Sequence, residues 1–286
     1  MALSVPAPYV RPATLAEALD ALADGGEPRL VVCGGTDVYP AYATRPVDRA
    51  VLDISRVDGL RGIEPLPDGG WRLGATTTWT DVAEATLLPP AFDGLRAAAR
   101  QIGGRQIQNA GTAAGNVVNA SPAADGTPNL LALDASVEVA SAARGSRVVP
   151  LSAFVTGYRE TALAADELVT GVLVPAIDAA AASTFTKLGS RAYLVISIVS
   201  VAAVAVVRDG LVADARVVVG ACSPVPIRLS ALEAALRGMP AADAADVIEA
   251  AHLDGLTPID DVRGPAAYRR DAALTLVRRA VGAVTA

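Results

Sequence analysis

Residues 100–134 read RQIGGRQIQNAGTAAGNVVNASPAADGTPNLLALD, and this stretch determines how we interpret the rest of the chain. Two glycine turns, Gly103-Gly104 and residues 111–115, frame a polar run, and the acid Asp125 follows a Ser121-Pro122 turn. A core helix or strand would not place so many small residues together. Such a run allows backbone N–H groups to approach a flat or anionic ligand closely. We therefore interpret the stretch as part of the binding site of a dinucleotide cofactor.

Composition limits the class of protein. The chain has 286 residues, which at about 100–200 residues per domain predicts two domains. Hydrophobic residues make up 52% and charged residues 19%, as in a globular protein with a large buried core. The formal net charge of −6 provides no basic surface for nucleic acid. Any bound phosphate must therefore be held by backbone dipoles and a few selected side chains.

The chain contains two cysteines, Cys33 and Cys222, and one histidine, His252. A disulfide framework is excluded, as is an iron–sulfur or zinc site built by this chain alone, because such sites need about four Cys or His ligands. We expect Cys33, which follows three apolar residues, to be a buried and unreactive thiol. His252 lies in an alanine-rich segment predicted to be helical, and is expected on a helix surface or in packing. No residue is predicted to be catalytic or to bind a metal.

Neither a membrane span nor a signal peptide is expected. Residues 1–11 lack a basic segment followed by an apolar one. The longest apolar run, residues 194–207, is interrupted by Ser197 and Ser200 and is too short to cross a bilayer. We therefore expect a soluble, cytoplasmic protein.

The first half of the chain alternates short strands and helices. A capping box, Thr14 with Glu17, predicts a helix start. Strand signals follow at residues 29–32, 50–54, 71–75, 136–140, 147–149 and 168–174, and helix signals at 80–85 and 94–101. The strand at 29–32 leads into a second glycine-containing turn, residues 33–37. No G-x-G-x-x-G motif follows a strand, so a doubly wound nucleotide-binding fold is not expected.

A thin, alanine-rich passage at residues 177–183 marks the predicted domain boundary. Beyond it, two β-branched runs meet at Asp209-Gly210, which predicts a hairpin. A second capping box, Ser230 with Glu233, predicts another helix start, and further helices are predicted at 241–253 and 265–284. The second half is therefore predicted to be a small antiparallel sheet with helices packed on one face.

Three motifs together resemble a known family. VVCGGTD at 31–37, GGRQIQNAGTAAGN at 103–116 and NASPAAD at 119–125 resemble the FAD-binding subunit of the xanthine dehydrogenase family of molybdenum hydroxylases. That family includes the medium subunit of aerobic carbon monoxide dehydrogenase. The resemblance extends from Tyr9-x-Arg-Pro to the C-terminal helices.

The resemblance implies an α+β fold with two domains. Residues 1–177 would form a PCMH-type FAD-binding domain, in which two α+β subdomains of the vanillyl-alcohol-oxidase type hold FAD between them. Residues 178–286 would form a small domain with an antiparallel three-stranded sheet and helices that closes over the flavin.

The resemblance also implies a cofactor site. The turn at residues 33–37 and the turn at residues 112–116 would bind the pyrophosphate of FAD. Asp125 would bind ribose or ribityl hydroxyls. Ile102 would lie against the flavin, Val169 would contact it through its backbone, Lys187 would lie beside it and Tyr193 over its ring. The complete implied set is Val31, Val32, Cys33, Gly34, Gly35, Thr36, Asp37, Val38, Ile102, Thr112, Ala113, Ala114, Gly115, Asn116, Asp125, Val169, Lys187 and Tyr193.

Two positions depart from the family pattern, and one residue is distinctive by composition. Cys33 stands where alanine is common, and Ala114 replaces the first glycine of T-x-G-G, which adds a methyl group near the expected pyrophosphate. Lys187 is the only lysine among 24 basic residues. A compact ammonium in an otherwise arginine-only chain favours a specific role for this residue.

As a function, the resemblance implies electron transfer. Electrons would come from an iron–sulfur small subunit, itself supplied by a molybdopterin large subunit, and would leave FAD for NAD, oxygen or a quinone. Enzymatic activity would therefore need partner subunits. Two alternatives stay open at this point: a self-contained FAD-dependent oxidoreductase of the same fold superfamily, and a scaffold subunit without flavin.

Overall fold

The computed structural model describes residues 8–24, 28–192 and 194–286 and contains both helices and strands in each half of the chain. The helices are α1 (Leu15–Ala23), α2 (Val38–Ala41), α3 (Trp79–Ala83), α4 (Asp93–Gln101), α5 (Arg105–Gln108), α6 (Ala113–Asn119), α7 (Gly126–Ala132), α8 (Leu151–Phe154), α9 (Ser230–Leu236) and α10 (Ala266–Thr285). The strands of the first half are β1 (Tyr9–Val10), β2 (Leu30–Val32), β3 (Val51–Asp53), β4 (Ile63–Pro65), β5 (Trp71–Gly74), β6 (Ser136–Ser141), β7 (Gly145–Pro150), β8 (Val155–Gly157), β9 (Glu160–Thr161) and β10 (Leu168–Val174). The second half contributes β11 (Ala181–Leu188), β12 (Val199–Arg208), β13 (Leu211–Gly220) and β14 (Ile227–Arg228).

A small parallel sheet begins the fold. Its strand order is β1-β3-β2, and α1 packs on it through a core that includes Ala18, Leu52 and Ile54. The predicted capping box at the start of α1 is confirmed, because the Thr14 hydroxyl accepts from the Glu17 N–H and the Glu17 carboxylate accepts from the Thr14 N–H.

A five-stranded antiparallel sheet forms the second part of the first half. Its order is β4-β5-β10-β6-β7, so β10, which is distant in sequence from β5, pairs between β5 and β6. Helices α3, α4, α6 and α7 contribute to the core beside it, where Trp79, Phe92, Leu95 and Phe154 are almost fully buried. The two expected α+β subdomains are thus present.

The sheet of the second half is buried on both faces. It has three long antiparallel strands, β11, β12 and β13, and the two-residue β14 at its edge. Ala202, Val204 and Val206 of β12 join the core of the first half, whereas Val201 and Ala203 face a separate core with α9 and α10. Because both faces are dry, β12 reads as a continuous apolar run without the polar alternation of a half-exposed strand.

The predicted hairpin and C-terminal helix are confirmed. Asp209 and Gly210 both have positive φ, 51° and 74°, which is the backbone of a two-residue hairpin turn whose twist matches the flanking strands. Helix α10 packs on the sheet through residues that include Ala273, Val277 and Val281.

Two predictions for the second half are wrong. The predicted helix start is correct, since α9 begins at Ser230, but the capping box is absent, because the N-cap is Leu229 and makes no side-chain bond. Glu233 instead is buried, accepting from the Val217 N–H (2.9 Å) and the Arg228 Nε (2.8 Å). Tertiary contacts thus outweigh the local capping signal.

Residues 241–253 do not form one helix. They form two short 3₁₀ turns, Ala241–Asp243 and Ala250–Leu253, separated by an extended Glu249. The Nδ1 of His252 accepts from the Glu249 N–H (3.0 Å), so the histidine caps the second turn and is not on a long helix. Across residues 8–24, 28–192 and 194–286, no helix is both long and apolar enough to span a bilayer.

Glu167 ties the segment before β10 to β7. Its side chain is 3% exposed and accepts from the Nε and Nη2 of Arg147, both at 2.7 Å. These bonds, together with the Ala164 N–H and Arg144, lower the pKa of Glu167 from its ordinary 4.5 to about 2.

We expect Glu167→Gln to destabilise the fold in a pH-dependent way. Because the folded-state pKa is depressed, the stabilisation is present above pH 4.5 and is lost as the pH falls towards 2. The free energy of urea unfolding, measured for wild type and variant from pH 7 to pH 3, should show a difference that shrinks as the pH falls. Glu64→Gln, at an exposed glutamate on β4, is the control. A pH-independent difference would contradict this account.

Candidate cofactor site

A cavity of about 370 Å³ lies between the parallel sheet and the five-stranded sheet. The turn after β2, the start of α6 and the beginning of β10 all reach it. Its lining is Leu30, Val31, Val32, Cys33, Gly34, Gly35, Thr36, Asp37, Val38, Ile54, Ala75, Trp79, Ile102, Ile107, Gly111, Thr112, Ala114, Gly115, Asn116, Val118, Asn119, Leu163, Glu167, Leu168 and Val169. Both glycine-containing motifs, which are about seventy residues apart in sequence, thus meet at one site.

The two motifs touch each other directly through their backbones. A Cβ on Gly34 would lie 1.7 Å from the carbonyl oxygen of Ala110, so no side chain fits at that position. Gly35 has φ +66°, and a Cβ there would lie 2.4 Å from the ring of Tyr39. These two glycines are therefore required by contacts within the protein itself, in addition to any ligand.

The turn after β2 presents unused hydrogen-bond donors. Within the described residues, the backbone N–H groups of Gly35, Thr36, Asp37 and Val38 donate to no protein acceptor. The four groups are consecutive and line the cavity. Successive backbone amides of this kind form a concave site for an anion.

The second motif proves to be the start of a helix. Thr112 is the N-cap of α6, and its hydroxyl accepts from the Gly115 N–H (2.9 Å). The Ala113 N–H donates to the Thr77 carbonyl (3.1 Å), whereas among the described residues the Ala114 N–H has no protein acceptor. The Ala114 methyl belongs to the buried core, at 3% exposure, although the residue lines the cavity.

A segment that sequence reasoning did not assign to the site joins these parts. Residues 76–79 run antiparallel to the start of α6, with the Trp79 N–H donating to the Gly111 carbonyl (3.0 Å). The Trp79 ring packs on Gly126, where a Cβ would lie 2.2 Å away. Trp79 is 2% exposed and lines the cavity. A threonine run directly before a tryptophan was the available signal.

Asn116 carries an unused acceptor. Its Oδ1 is buried and has no hydrogen-bond partner among the described residues. Asn116 lines the cavity one helical turn beyond Thr112. Buried polar atoms without a partner are rare in folded proteins, so this oxygen is a candidate ligand contact.

Asp125 and Lys187 are brought together outside the cavity lining. The Lys187 Nζ lies 2.6 Å from the Asp125 Oδ2, and the two side chains are 5% and 6% exposed. The Ser197 hydroxyl donates to the other carboxylate oxygen. Burial raises the pKa of Asp125, and the contacts with Lys187 and Ser197 oppose that rise. Lys187 is therefore a paired cation, and any electrostatic effect on a ligand belongs to the pair.

The remaining residues implied by the resemblance are distributed as follows. Ile102 and Val169 line the cavity, as do Val31 and Val32. Ala113 is fully buried beside the cavity and is not part of its lining. Tyr193 lies outside the described residues.

The cysteines are not reactive groups. Burial raises the pKa of the Cys33 thiol to about 11, and it does the same for Cys222, so both are protonated at neutral pH. In the described part of the chain, no cluster of three His, Cys, Asp or Glu side chains is placed to hold a metal ion.

Backbone donors at two turns, apolar walls from Ile54, Ile102 and Val169, and a position between two α+β subdomains are together the features of a dinucleotide-binding flavoprotein. Residues 3–177 match the family described as the FAD binding domain in molybdopterin dehydrogenase. Residues 184–284 match the family described as the CO dehydrogenase flavoprotein C-terminal domain. The chain therefore belongs to the family of FAD-binding subunits of molybdopterin dehydrogenases.

Relatives support the same family. The xanthine dehydrogenase FAD-binding subunit of Escherichia coli O157:H7 is 31% identical over 283 residues, which cover 98% of this chain and 96% of that protein. The carbon monoxide dehydrogenase medium chain of Hydrogenophaga pseudoflava is 27% identical, with 97% and 96% covered. A solved structure of reconstituted CO dehydrogenase from Oligotropha carboxidovorans superposes with a TM-score of 0.90 at 25% identity, covering 98% of this chain and 99% of that one.

The cavity fits FAD by its own chemistry. The diphosphate of FAD carries about two negative charges, which convergent backbone N–H donors can stabilise. The four consecutive amides after β2 and the Ala114 amide supply donors. Two carboxylates line the cavity: Glu167 is neutralised by Arg147, and Asp37 stands in the donor turn without a side-chain cap bond. Gly115 leaves space on the cavity side, because a Cβ there would meet only the Thr112 side chain within 4 Å.

We expect Gly34→Ala and Gly115→Ala to act on different properties. Gly34→Ala should lower the free energy of unfolding of the apoprotein by about 3 kcal/mol or more, because the backbone of Ala110 must move. Gly115→Ala disturbs only the Thr112 cap, so it should cost less than about 2 kcal/mol. It should instead weaken FAD binding by about tenfold, since the methyl group enters the cavity. Urea unfolding and titration of apoprotein with FAD measure the two effects, and equal loss of stability in both variants would contradict the assignment.

We expect Lys187→Met to destabilise the apoprotein by about 3–5 kcal/mol, because the buried Asp125 loses its partner. Adding Asp125→Asn should recover part of that loss, since the amide carries no charge. The control is Arg208→Met, which removes an exposed ion pair with Asp178 on the same sheet and should cost less than about 1 kcal/mol. A double variant no more stable than the single one would refute the buried-pair account.

Proposed function

We propose that this chain is the electron-transfer flavoprotein subunit of a molybdenum-containing hydroxylase or dehydrogenase. It would accept electrons from an iron–sulfur cluster of a partner subunit and pass them through FAD to an external acceptor. The observation that carries the proposal is the meeting of both glycine-containing motifs at one cavity, in a chain that matches the two family domains along almost its whole length.

The binding roles are proposed from the contacts. The free amides of Gly35–Val38 and Ala114 would hold the pyrophosphate, with Thr36 and Thr112 adding hydroxyl groups. Val31, Val32, Ile102 and Val169 would form the apolar walls against the rings. The Asn116 Oδ1, which has no partner among the described residues, would accept from a cofactor hydroxyl or amide.

From the resemblance, we propose that Asp125 binds ribose or ribityl hydroxyls of FAD, that Lys187 lies beside the flavin and that Tyr193 lies over its ring. Asp125 and Lys187 lie just beyond the cavity lining and join the two halves of the chain, since α7 follows Asp125 and β11 contains Lys187. We place the domain division at residues 177/178. The family matches at 3–177 and 184–284 support this division.

FAD supplies the redox chemistry when it is bound. The chain's own part is to hold the cofactor by backbone donors and to exclude water from its rings. Substrate hydroxylation would take place on a molybdopterin large subunit, and an iron–sulfur small subunit would connect the two centres. The relatives' names support such assemblies, because they include a carbon monoxide dehydrogenase medium chain and a nicotinate dehydrogenase FAD-subunit. NAD, oxygen or a quinone would be the final acceptor.

We expect the isolated chain to bind one FAD and to be reduced by dithionite, yet to oxidise no purine, aldehyde or carbon monoxide. The physical reason is that the described residues offer neither a metal site nor an activated acid or base at the cavity. Flavin absorbance and substrate-dependent dye reduction are the measurements. Activity should appear when the iron–sulfur and molybdopterin subunits are added, with the partners alone as control. Substrate turnover by the lone chain would overturn the electron-transfer role, and absence of flavin binding would overturn the cofactor assignment.

A further inference from the structure

Arg269 is a buried charge that the proposed cofactor contacts do not use. It lies near the start of α10 and is only 1% exposed. Its Nη1 donates to the carbonyls of Ile198 (2.7 Å) and Ala221 (3.1 Å), and its Nη2 contacts the Asp261 carboxylate at 2.6 Å. The guanidinium thus joins three separate segments of the second half.

The carbonyl of Ile198 marks the base of the connection between β11 and β12. The Ile198 N–H donates to the Leu188 carbonyl (2.8 Å), which closes that connection. The neighbouring residue, Ser197, donates to Asp125, the partner of Lys187. Two adjacent residues are therefore held by two independent buried charged groups, one on each side.

The residues before Ile198, 194–197, approach the turn that follows Ile102 of the cavity lining. The Leu194 side chain reaches within 3.3 Å of the position that a Cβ on Gly104 would occupy, and Gly104 is two residues from Ile102 in the cavity lining. The Arg191 Nε donates to the Leu194 carbonyl at 2.9 Å. The backbone at 194–198 is thus fixed at one end by Arg269, and at the other end Leu194 contacts Gly104, two residues from the cavity lining.

If position 269 served packing alone, an apolar side chain would fill it without the free-energy cost of burying a charge. The buried residues that follow on α10 include Ala273, Val277 and Val281, which are apolar. Burying a guanidinium requires several well-aligned acceptors. Here the carbonyls of Ile198, Ala221 and Gly264 (the last 3.4 Å from Nε) and the Asp261 carboxylate provide them. Its planar fork reaches these acceptors at the same time, which a lysine ammonium on a single stem could not do equally well.

We propose that Arg269 is a positioning residue for the FAD site, which fixes residues 194–198 against the Ile102–Gly104 turn. The effect on FAD rests on the proposed function, whereas the effect on the segment does not. Removing the guanidinium releases the Ile198 carbonyl, so the segment opens locally while the rest of the second half keeps its core.

The test compares Arg269→Met and Arg269→Lys with wild type. The matched control is Arg270→Met, since Arg270 is the next residue on α10, is exposed and donates to the Leu256 carbonyl instead. Hydrogen exchange of the apoprotein should accelerate by about tenfold or more in residues 194–198 of Arg269→Met, and by less in residues 266–285. The FAD dissociation constant should rise by about tenfold, with increased fluorescence of bound flavin. Arg269→Lys should show intermediate changes and Arg270→Met none.

Three results would overturn the proposal. Unchanged exchange in residues 194–198 would show that the guanidinium does not fix the segment. Acceleration spread evenly over residues 199–286 would assign Arg269 a general stabilising role. Faster exchange with unaltered FAD affinity and fluorescence would separate the segment from the site. If Arg269→Met does not fold, the same readouts on Arg269→Lys decide the matter. Wild-type apoprotein that fails to bind FAD would overturn the proposed function, and the exchange arm would still test the segment.

Discussion

The site depends on direct backbone contact between the two glycine-containing motifs. Because Gly34 has no Cβ, the turn after β2 packs directly against the segment that leads into α6. A Cβ at this position would lie 1.7 Å from the Ala110 carbonyl oxygen. The Thr77–Ala113 and Trp79–Gly111 hydrogen bonds hold that segment in place from the other side. The cavity walls are therefore main chain packed on main chain, which leaves little freedom for the donors to move.

A site built from backbone explains how an acidic chain can be expected to hold an anionic cofactor. The formal net charge is −6, and the single lysine is committed to Asp125 in a buried pair. Amide dipoles fixed by secondary structure need no titratable cation, so their attraction for a phosphate does not change with pH. Of the two carboxylates that line the cavity, Glu167 is neutralised by Arg147 before any ligand arrives, whereas Asp37 lies among the donors themselves.

The sequence predicted best those features that local chemistry decides. The Asp209-Gly210 turn and the Thr14 capping box are correct because each depends on neighbouring residues alone. The strand Leu168–Val174 is also correct, although its partners β5 and β6 are distant in sequence. Ser230 and Glu233 have the same local pattern, yet contacts with Val217 and Arg228 decide what Glu233 does. Trp79 and Glu167 were not foreseen in the cavity lining, since no periodicity reports which distant strands will meet. The meeting of Asp125 with Lys187 likewise depends on how the two halves pack.

The sheet of β11, β12 and β13 has a consequence for how the protein could have been assembled and inherited. One of its faces completes the core of the first half, through Phe185, Val204 and Val218, and the other completes the core with α10. The sheet is shared by both cores, so neither the first half nor α10 can be removed without exposing a broad apolar surface to water. The two family domains are therefore expected to unfold as one cooperative unit. A recombination event that separated them at the sequence boundary would leave each with an exposed apolar face.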